Sequence, residues 1–475
     1  MRLTNPRYYE QVNIVCGQLE TENFGLCPTD LQALISNTSI IFHVAATVRF
    51  DEHIRTAYNI NVVGTNTILS LAKQMTHLKS FVHVSTAYSH CDKWSIDETF
   101  YSPTLTANEL SIITQHATDE QLAILNEHLI GNKPNTYTLT KATAEDLVRE
   151  AVSELPISVF RPSVVFPTLE EPMPFWMKGF NSVLAVILAI GIGLYRVYLG
   201  NADCTVDIVP ADRTINAMMK GFNSVLAIGV ATATGLYRAL LMNLQKAVDL
   251  VPSDRTINAM VALAWYQTIP KQKTQSCSVL NFVSADDNSI LSGDFLGLIH
   301  RDWILAKEAN KSTVWKTSYV VTSNPTLYTI LFYIFHFVPA IVFSLTERLT
   351  NQKPQVMKFY RKIKHFGKLL AFFCLNEWQF ENNNLHSMID AMSIEDRKRF
   401  DASLNTFTWK TMFRGSLHRA VSLYMLRERV TKEEYKKKMV YRVLVHNVLT
   451  LLVKALSVYF ILYFTAQLIN KFFVN

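Results

Sequence analysis

Short apolar segments alternate with helix-forming segments through the N-terminal part of this 475-residue chain. The candidate strands are rich in β-branched and aromatic residues and comprise Val12–Val15, Ile40–Ala45, Phe81–Ser85 and Ile157–Phe160. Asn61–Lys73 and Thr138–Val152 lie between them and have helical composition. Continuous apolar runs are typical of strands buried on both faces of a parallel sheet. The alternation therefore predicts an α/β fold with a parallel sheet, and Val206–Pro210 and Val279–Val283 are candidates to extend it.

A stretch of 42 residues occurs twice in the middle of the chain. Met177–Ala185 recurs letter for letter as Met219–Ala227, and Val206–Met218 recurs with two changes as Val248–Met260. A repeat architecture needs at least about three stacked units, so two copies do not indicate a solenoid. One structural segment supplied twice, for example by two retained alternative exons, explains the pattern more simply. The second copy continues into the apolar segment Val261–Trp265, so we expect the second copy to fill the position in the fold.

The positive charge of the chain is concentrated in its C-terminal quarter. The net charge is −5 over residues 1–350 and +12 over residues 351–475. Leu327–Leu345 contains no charged residue, and Val443–Asn470 contains only Lys454, whereas about 20 apolar residues suffice to span a bilayer. Lys436–Lys438 precede the second run, as expected of a cytoplasmic flank. These patterns predict a membrane-bound protein and disfavour nucleic acid as a partner; Leu327–Leu345 fits either a span or a buried or interfacial helix.

Metal and disulfide chemistry have no sequence support. The six cysteines show no short paired spacing, and the thirteen histidines form no HExxH or similar cluster. We therefore expect neither a metal site nor a disulfide framework, and a catalytic part that faces the reducing cytosol.

Tyr137 and Lys141 are the pair of residues with the clearest chemical potential. Their spacing of four places both side chains on one helix face, where an ammonium is expected to lower the pKa of the phenol and make it a usable proton donor. Tyr360 and Lys364 have the same spacing but lie in a basic stretch without similar surroundings. Tyr137, by contrast, follows the strand that leads into Ser85 and Thr86.

A strand ending in hydroxyls, a Tyr-x-x-x-Lys helix and a parallel sheet together resemble the extended branch of the short-chain dehydrogenase/reductase superfamily. Four sequence motifs further resemble the insect-style fatty acyl-CoA reductases that form alcohols: Phe42–Asp51, Asn61–Thr65, His83–Tyr88 and Pro134–Thr138. Asn376–Arg419 resembles the helical C-terminal domain of that family. The resemblance covers nearly the whole chain.

The resemblance implies a two-step reduction of a long-chain acyl-CoA by NADPH, through an aldehyde, to a primary alcohol and free coenzyme A. Tyr137 would act as general acid, Lys141 would hold the cofactor ribose, and Thr86 or Ser85 would hydrogen-bond the developing oxyanion. Cofactor-binding residues would be the remaining strand-end positions Ala45, Ala46, Arg161, Pro162 and Ser163. The alternative reductases are hydroxysteroid and sugar-nucleotide enzymes, and a non-catalytic membrane-anchored interaction protein also stays open.

The chain departs from the family in one important respect. It contains no glycine-rich phosphate loop, neither GxGxxG nor the TGxxGxxG of the family, although such a loop anchors the pyrophosphate of the cofactor. We therefore expect an incomplete Rossmann-type sheet that lacks its first two strands, with Ile40–Ala45 as a bare edge, and a chain that does not bind NADPH productively. A fragment, a splice form and a pseudoenzyme are the possible explanations.

The resulting domain organisation has four parts. Residues 1–310 would form the truncated reductase domain with the duplication at 177–218 and 219–260, and residues 311–350 an apolar linker that is a possible membrane helix. Residues 351–440 would form a helical domain, and residues 441–475 a transmembrane helix and tail. The endoplasmic reticulum and the peroxisome both suit such a protein. Acyl chain length and oligomeric state cannot be read from the sequence.

Overall fold

The computed structural model describes residues 8–171, 251–270, 278–284, 287–291, 320–338 and 375–413. It also describes the shorter pieces 174, 197–199, 239–240, 247–249, 294, 298, 340–341, 344, 357, 361, 364–365, 371–373, 451 and 459. Three sequence predictions fall outside the described residues: the strand Val206–Pro210, the first copy of the duplication apart from residues 197–199, and nearly all of the apolar run Val443–Asn470.

The strands in chain order are β1 Ile40–His43, β2 Ser80–Val84, β3 Ser95–Ile96, β4 Ile157–Pro162, β5 Val165–Phe166, β6 Val197–Leu199, β7 Ala239–Leu240, β8 Ala247–Asp249, β9 Val251–Pro252, β10 Val279–Phe282, β11 Ser289–Leu291, β12 Val320–Thr322 and β13 Gln379–Phe380. The central sheet has the order β1-β2-β4-β10, and all of its pairs are parallel. In its register His43 lies opposite His83, and Val84 lies opposite Phe160. The prediction of a Rossmann-type parallel sheet is confirmed.

Strand β1 forms an edge of this sheet among the described residues. Its alternate residues Ile40 and Phe42 are exposed, so one face of β1 is uncovered among the described residues. The predicted strand Val12–Val15 is wrong, because this segment has no regular structure and exposes its apolar side chains. Its composition favours a strand, but a strand also needs a neighbour that accepts its backbone hydrogen bonds, and none of the described strands lies beside it.

The α-helices are α1 Pro28–Asn37, α2 Ile54–Tyr58, α3 Gly64–Ala72, α4 Ala107–His116, α5 Asp119–Ile130, α6 Thr136–Ala151, α7 Ser253–Tyr266, α8 Pro325–Phe332, α9 Asn383–Ala391, α10 Ile394–Arg399 and α11 Trp409–Met412. A π-helical turn at Asn59–Val63 joins α2 to α3, so the predicted helix Asn61–Lys73 begins earlier than expected. Helix α6 starts where the side chain of Asn135 accepts a hydrogen bond from the Thr138 backbone N–H at 2.9 Å. This cap fixes the first turn of the helix that carries Tyr137.

Helices cover both faces of the sheet because successive strand residues point to opposite sides. Phe81 packs in one cluster with Val148 of α6, whereas Val82 packs on the other face with Leu263 of α7 and Met388 of α9. Helix α7 and the strand β9 before it belong to the second copy of the duplication, and β9 pairs with β5. The structure thus places the end of the second copy on the sheet.

Residues of the C-terminal segment 375–413 contact the sheet directly. Strand β13 pairs in parallel with β3, and the indole N–H of Trp378 donates to the Cys91 carbonyl at 2.9 Å. The amide of Asn281 in β10 donates to the Glu381 carbonyl at 2.9 Å. These contacts bring the segment to the side of the molecule on which β2 ends.

The apolar run Leu327–Leu345 is described only in part. Helix α8 continues as a π-helical turn at Tyr333–Phe337, with Phe332 and His336 fully buried. Within the part of the chain that the structure describes, no helix combines the length and the apolar character needed to cross a bilayer. The predicted membrane helices are therefore not seen.

Candidate active site

Tyr137 and Thr86 meet at the carboxyl end of the central sheet. Tyr137 lies in the first turn of α6, Thr86 follows β2, and their side chains share a hydrogen bond. Burial raises the pKa of Tyr137 above its ordinary value, and the bond from Thr86 offsets this only in part. The prediction that Lys141 lowers the pKa of this phenol is wrong in this structure, because burial dominates and the ammonium bonds elsewhere.

Lys141 is buried one turn further along α6. Its Nζ donates to the backbone carbonyl of Val84, the last residue of β2, at 2.8 Å. Burial lowers the pKa of Lys141 to about 8, although the nearby Glu145 carboxylate favours the charged form. The side chain is therefore mostly protonated at neutral pH and loses its proton at a lower pH than an ordinary lysine does.

The two candidate hydroxyls at the end of β2 have different partners. The Ser85 hydroxyl donates to the Glu145 carboxylate and is buried, whereas Thr86 contacts Tyr137. Successive residues of an extended strand point in opposite directions, which accounts for the difference. The geometry thus assigns Thr86, and not Ser85, to the neighbourhood of the reacting phenol.

Arg161 lies inside the protein and is held there by several hydrogen bonds. Its guanidinium is fully buried and contacts the Glu145 carboxylate at 2.7 Å and the carbonyls of Asp97 and Thr99 at 3.1 and 2.9 Å. These partners hold the guanidinium inside the protein, among Glu145, Asp97 and Thr99. The expected cofactor contact of Arg161 is therefore not supported by its placement, and its side chain instead anchors Glu145.

Pro162 and Ser163 occupy the expected position at the carboxyl end of β4. Pro162 is the last residue of the strand, and the Ser163 backbone N–H donates to the Phe282 carbonyl at 3.2 Å. The Ser163 hydroxyl is buried and has no hydrogen-bond partner among the described residues. A buried hydroxyl without a partner is costly, so its position fits contact with a polar ligand.

Ala45 and Ala46 follow β1 and are partly exposed. The next residue, Thr47, is fixed to Asn61: its backbone N–H donates to the Asn61 side-chain oxygen at 2.8 Å. Asn61 in turn donates to the Thr140 hydroxyl of α6 at 2.9 Å. Asn61 therefore ties the Ala45–Ala46 loop to α6, a role that its apolar sequence surroundings did not reveal.

The residues present fit the reacting end of a nicotinamide cofactor. Small side chains at Ala45 and Ala46 leave space for close approach, and the unpartnered hydroxyl of Ser163 offers a polar contact. Lys141 and Tyr137 lie at the same edge. A glycine-rich phosphate loop is not found in the sequence, so the fit extends only to this end of the cofactor.

An aromatic cluster lies against the ring of Tyr137. Phe50 stacks on Tyr137 with ring centroids 5.9 Å apart, and Phe373 of the C-terminal region packs on Phe50 at 5.3 Å. Tyr88 contacts both Phe373 and Trp378 at 5.4 Å. The phenol therefore faces an apolar wall built partly from the C-terminal region, a feature that sequence spacing could not show.

Two family models match the chain. An NAD-binding model described as male sterility protein matches residues 2–218, and the Sterile model, also described as male sterility protein, matches residues 335–428. Fatty acyl-CoA reductase wat of Drosophila melanogaster is 30% identical over 436 residues, which cover 91% of this chain and 74% of that protein. Fatty acyl-CoA reductase 1 of Rattus norvegicus is 28% identical over 412 residues, which cover 86% and 70%.

A likeness to a solved structure is weaker. The terminal R domain from the myxalamid PKS-NRPS biosynthetic pathway aligns with a TM-score of 0.49 and 14% identity, covering 89% of this chain and 78% of that one. A TM-score at this level does not bear on the fold, which rests on the strand order and register described above.

Proposed function

This chain belongs to the fatty acyl-CoA reductase family, and on that premise we propose that it reduces a long-chain fatty acyl-CoA to a primary fatty alcohol with NADPH. The observation that carries the proposal is the hydrogen bond between Tyr137 and Thr86 beside the buried Lys141. This arrangement places a proton donor, a hydroxyl and a cation at one edge of a parallel sheet.

The nicotinamide, when bound, supplies hydride to the carbonyl carbon. Tyr137 donates its phenolic proton to the carbonyl oxygen as negative charge develops there. Thr86, which already contacts this phenol, donates a hydrogen bond to the same oxygen. Lys141 keeps its ammonium at this edge of the sheet, where it would hold the ribose of the bound cofactor. The thioester stage releases coenzyme A as a thiol and leaves an aldehyde, and a second reduction at the same residues yields the alcohol.

An apolar substrate tail suits the surroundings of Tyr137. Phe50, Tyr88 and Phe373 form a wall next to the phenol, and burial of apolar surface gives about 0.8 kcal/mol for each methylene group. A sugar nucleotide would bring hydroxyl groups for which Phe50 and Phe373 of this wall offer no hydrogen-bond partner. The wall therefore supports an acyl chain as the substrate group.

Membrane attachment is the second part of the proposal. Leu327, Ile330, Tyr333, Val338 and Ile341 are large, exposed and apolar, and they recur at intervals typical of one helix face. The basic residues Lys436–Lys438 and the apolar run after them suit a bilayer with an anionic cytoplasmic surface. We infer that the protein is held at the endoplasmic reticulum or the peroxisome with its reductase part in the cytosol. Alkaline carbonate extraction of cell membranes tests the attachment, and protease treatment of the intact, purified organelles tests the location.

The activity is tested on two proteins. One is the 475-residue chain, and the other, the loop-bearing chain, carries a nucleotide-binding segment with a GxGxxG loop joined ahead of residue 1. Each is incubated with palmitoyl-CoA and NADPH, and hexadecanol, free thiol and NADPH consumption are measured. The proposal expects the loop-bearing chain to consume two NADPH for each hexadecanol and each thiol. NADPH binding without alcohol or aldehyde would contradict it.

A further inference from the structure

The face of α6 that carries Tyr137 and Lys141 carries a third buried polar residue. Glu145 lies one helical turn beyond Lys141, and only 1% of its surface is exposed. A buried carboxylate is unfavourable unless it is paired and hydrogen-bonded, so its partners show what holds it in place.

The Glu145 carboxylate is surrounded by donors from three places outside α6. The hydroxyls of Ser85 and Ser89 donate to Oε1, the latter at 2.8 Å, and His90 Nε2 lies 3.0 Å from Oε2. The Arg161 guanidinium donates to the same group through Nη2 at 2.7 Å and Nε at 3.1 Å. The end of β2, the turn that follows it and strand β4 thus all converge on one side chain.

Three consecutive residues at the end of β2 are held by three residues of α6, which lie on successive turns of the helix. Val84 accepts from Lys141, Ser85 donates to Glu145, and Thr86 bonds to Tyr137. The backbone that presents Thr86 is therefore fixed from both sides. We propose that Glu145 is a positioning residue that holds the Ser85–Thr86 strand end against α6 and supplies the negative charge that opposes deprotonation of Lys141.

The charge on Glu145 is secured by its neighbours. Burial alone would raise the pKa of this carboxyl, but the Arg161 charge and the His90 hydrogen bond outweigh burial and hold the pKa well below its usual range. The other titratable groups that face Lys141 are Tyr137 on α6, His83 on β2 and His43 on β1. Burial keeps the pKa of both histidines low, so they stay neutral, and Glu145 is the anion near Lys141 among the described residues.

The inference rests on the proposed reduction, but its test needs no turnover. Glu145→Gln keeps the shape of the side chain and removes its charge; Asp146→Asn, a neighbouring residue paired with Arg149, is the matched control. The titration of Lys141 is followed in the 475-residue chain by ¹³C NMR of labelled lysine, with Lys141→Met identifying its signal. Amide hydrogen exchange reports on residues 84–91.

Glu145→Gln should lower the titration midpoint of Lys141 by at least ~0.5 pH unit, since the opposing charge is gone. It should also speed exchange at residues 84–91 about tenfold, while Asp146→Asn changes neither. An unchanged Lys141 midpoint would overturn the proposal even if exchange increased, because a merely structural residue gives increased exchange alone.

Glu145→Gln could fail to fold, because it leaves Arg161 buried without its counter-charge. Ser85→Ala then carries the test, as it removes one donor and leaves the ion pair intact. Two results in Ser85→Ala support the proposal. Amide exchange should be faster only at residues 84–91, and kcat of the loop-bearing chain should fall about threefold to tenfold with KM unchanged. Unchanged exchange overturns it. Absence of alcohol formation with altered Lys141 titration contradicts the proposed function and leaves the positioning role standing.

Discussion

The side chains of Tyr137 and Thr86 share a hydrogen bond across the gap between α6 and the carboxyl end of β2. The two residues are 51 positions apart in the sequence and come together because α6 packs along the strand that Thr86 ends. The bond connects a phenol with a hydroxyl at the place where a carbonyl oxygen would accept hydrogen bonds from both. The predictions below follow from this contact and its surroundings.

Tyr137→Phe should lower kcat of the loop-bearing chain by roughly 10²–10⁴-fold, the usual contribution of a general acid. The ring still stacks on Phe50, so the thermal unfolding midpoint should change little. Steady-state NADPH oxidation with palmitoyl-CoA measures the effect. Tyr360→Phe, in the other Tyr-x-x-x-Lys sequence, is the matched control and should leave the rate unchanged. Equal losses in both variants would remove Tyr137 from the mechanism.

Thr86→Ala should reduce kcat by roughly 10²–10³-fold, as expected for loss of one donor to a developing oxyanion. Thr86→Ser retains a hydroxyl and should recover most of the rate. The measurement is kcat for reduction of a long-chain aldehyde, which isolates the second step. If Thr86→Ala kept full activity, a different group would have to stabilise the oxygen.

The rate should fall above about pH 8 as Lys141 loses its proton. The pKa of Lys141 is lowered by burial to about 8, so the ammonium is complete below this pH and is lost above it. We expect kcat to fall about tenfold for each further pH unit, as for loss of a single proton. A pH–rate profile of the loop-bearing chain checks this, with Lys364→Met as a control that should retain the same alkaline limb. A rate that stays constant to pH 10 would show that the charge of Lys141 is not needed.

Glu98 should make the fold more stable at mildly acidic pH. Its carboxylate accepts the backbone N–H groups of Asn281 and Asn384 at 2.9 and 2.5 Å, yet burial raises its pKa from 4.5 to about 7. Between these pH values the folded state binds more protons than the unfolded state, so this residue's contribution to stability falls as pH rises. Urea unfolding measures the free energy of unfolding at pH 5 and at pH 8. The difference between the two values should be smaller in Glu98→Gln than in the unsubstituted chain, by about 1 kcal/mol after allowance for solvent screening. Exposed Glu127→Gln should leave the difference unchanged, and an unaltered difference in Glu98→Gln would argue against the burial effect.

The 475-residue chain should bind NADPH poorly by itself. Backbone N–H groups of a glycine-rich loop normally hold the pyrophosphate, and the sequence contains no such loop. Titration with NADPH, followed by nicotinamide fluorescence, should therefore show no saturation in the micromolar range. Saturable micromolar binding would mean that other residues supply the phosphate site.

The sequence was most informative where burial is continuous. Strands β2, β4 and β10 were predicted to within two residues at either end, because strands buried on both faces are rich in apolar residues. Val12–Val15 has the same composition and forms no strand, since composition does not reveal whether a pairing partner exists.

In the candidate site, too, the sequence predicted some features correctly and missed those that depend on burial and packing. The spacing of Tyr137 and Lys141 brought both residues to one helix face, but the pKa of the phenol depends on burial, which spacing does not show. Arg161 was expected at the cofactor and instead anchors Glu145. Glu145 itself continues the four-residue spacing, so that interval, extended by one turn, was a signal available in the sequence.

The most direct test of the account is the product formed by the loop-bearing chain from palmitoyl-CoA and NADPH, identified by gas chromatography and mass spectrometry. The account predicts hexadecanol, formed at least about 10²-fold more slowly in Tyr137→Phe while NADPH binding is retained. Hexadecanol at an undiminished rate in Tyr137→Phe, or no reduced product from a chain saturated with NADPH and acyl-CoA, would contradict it.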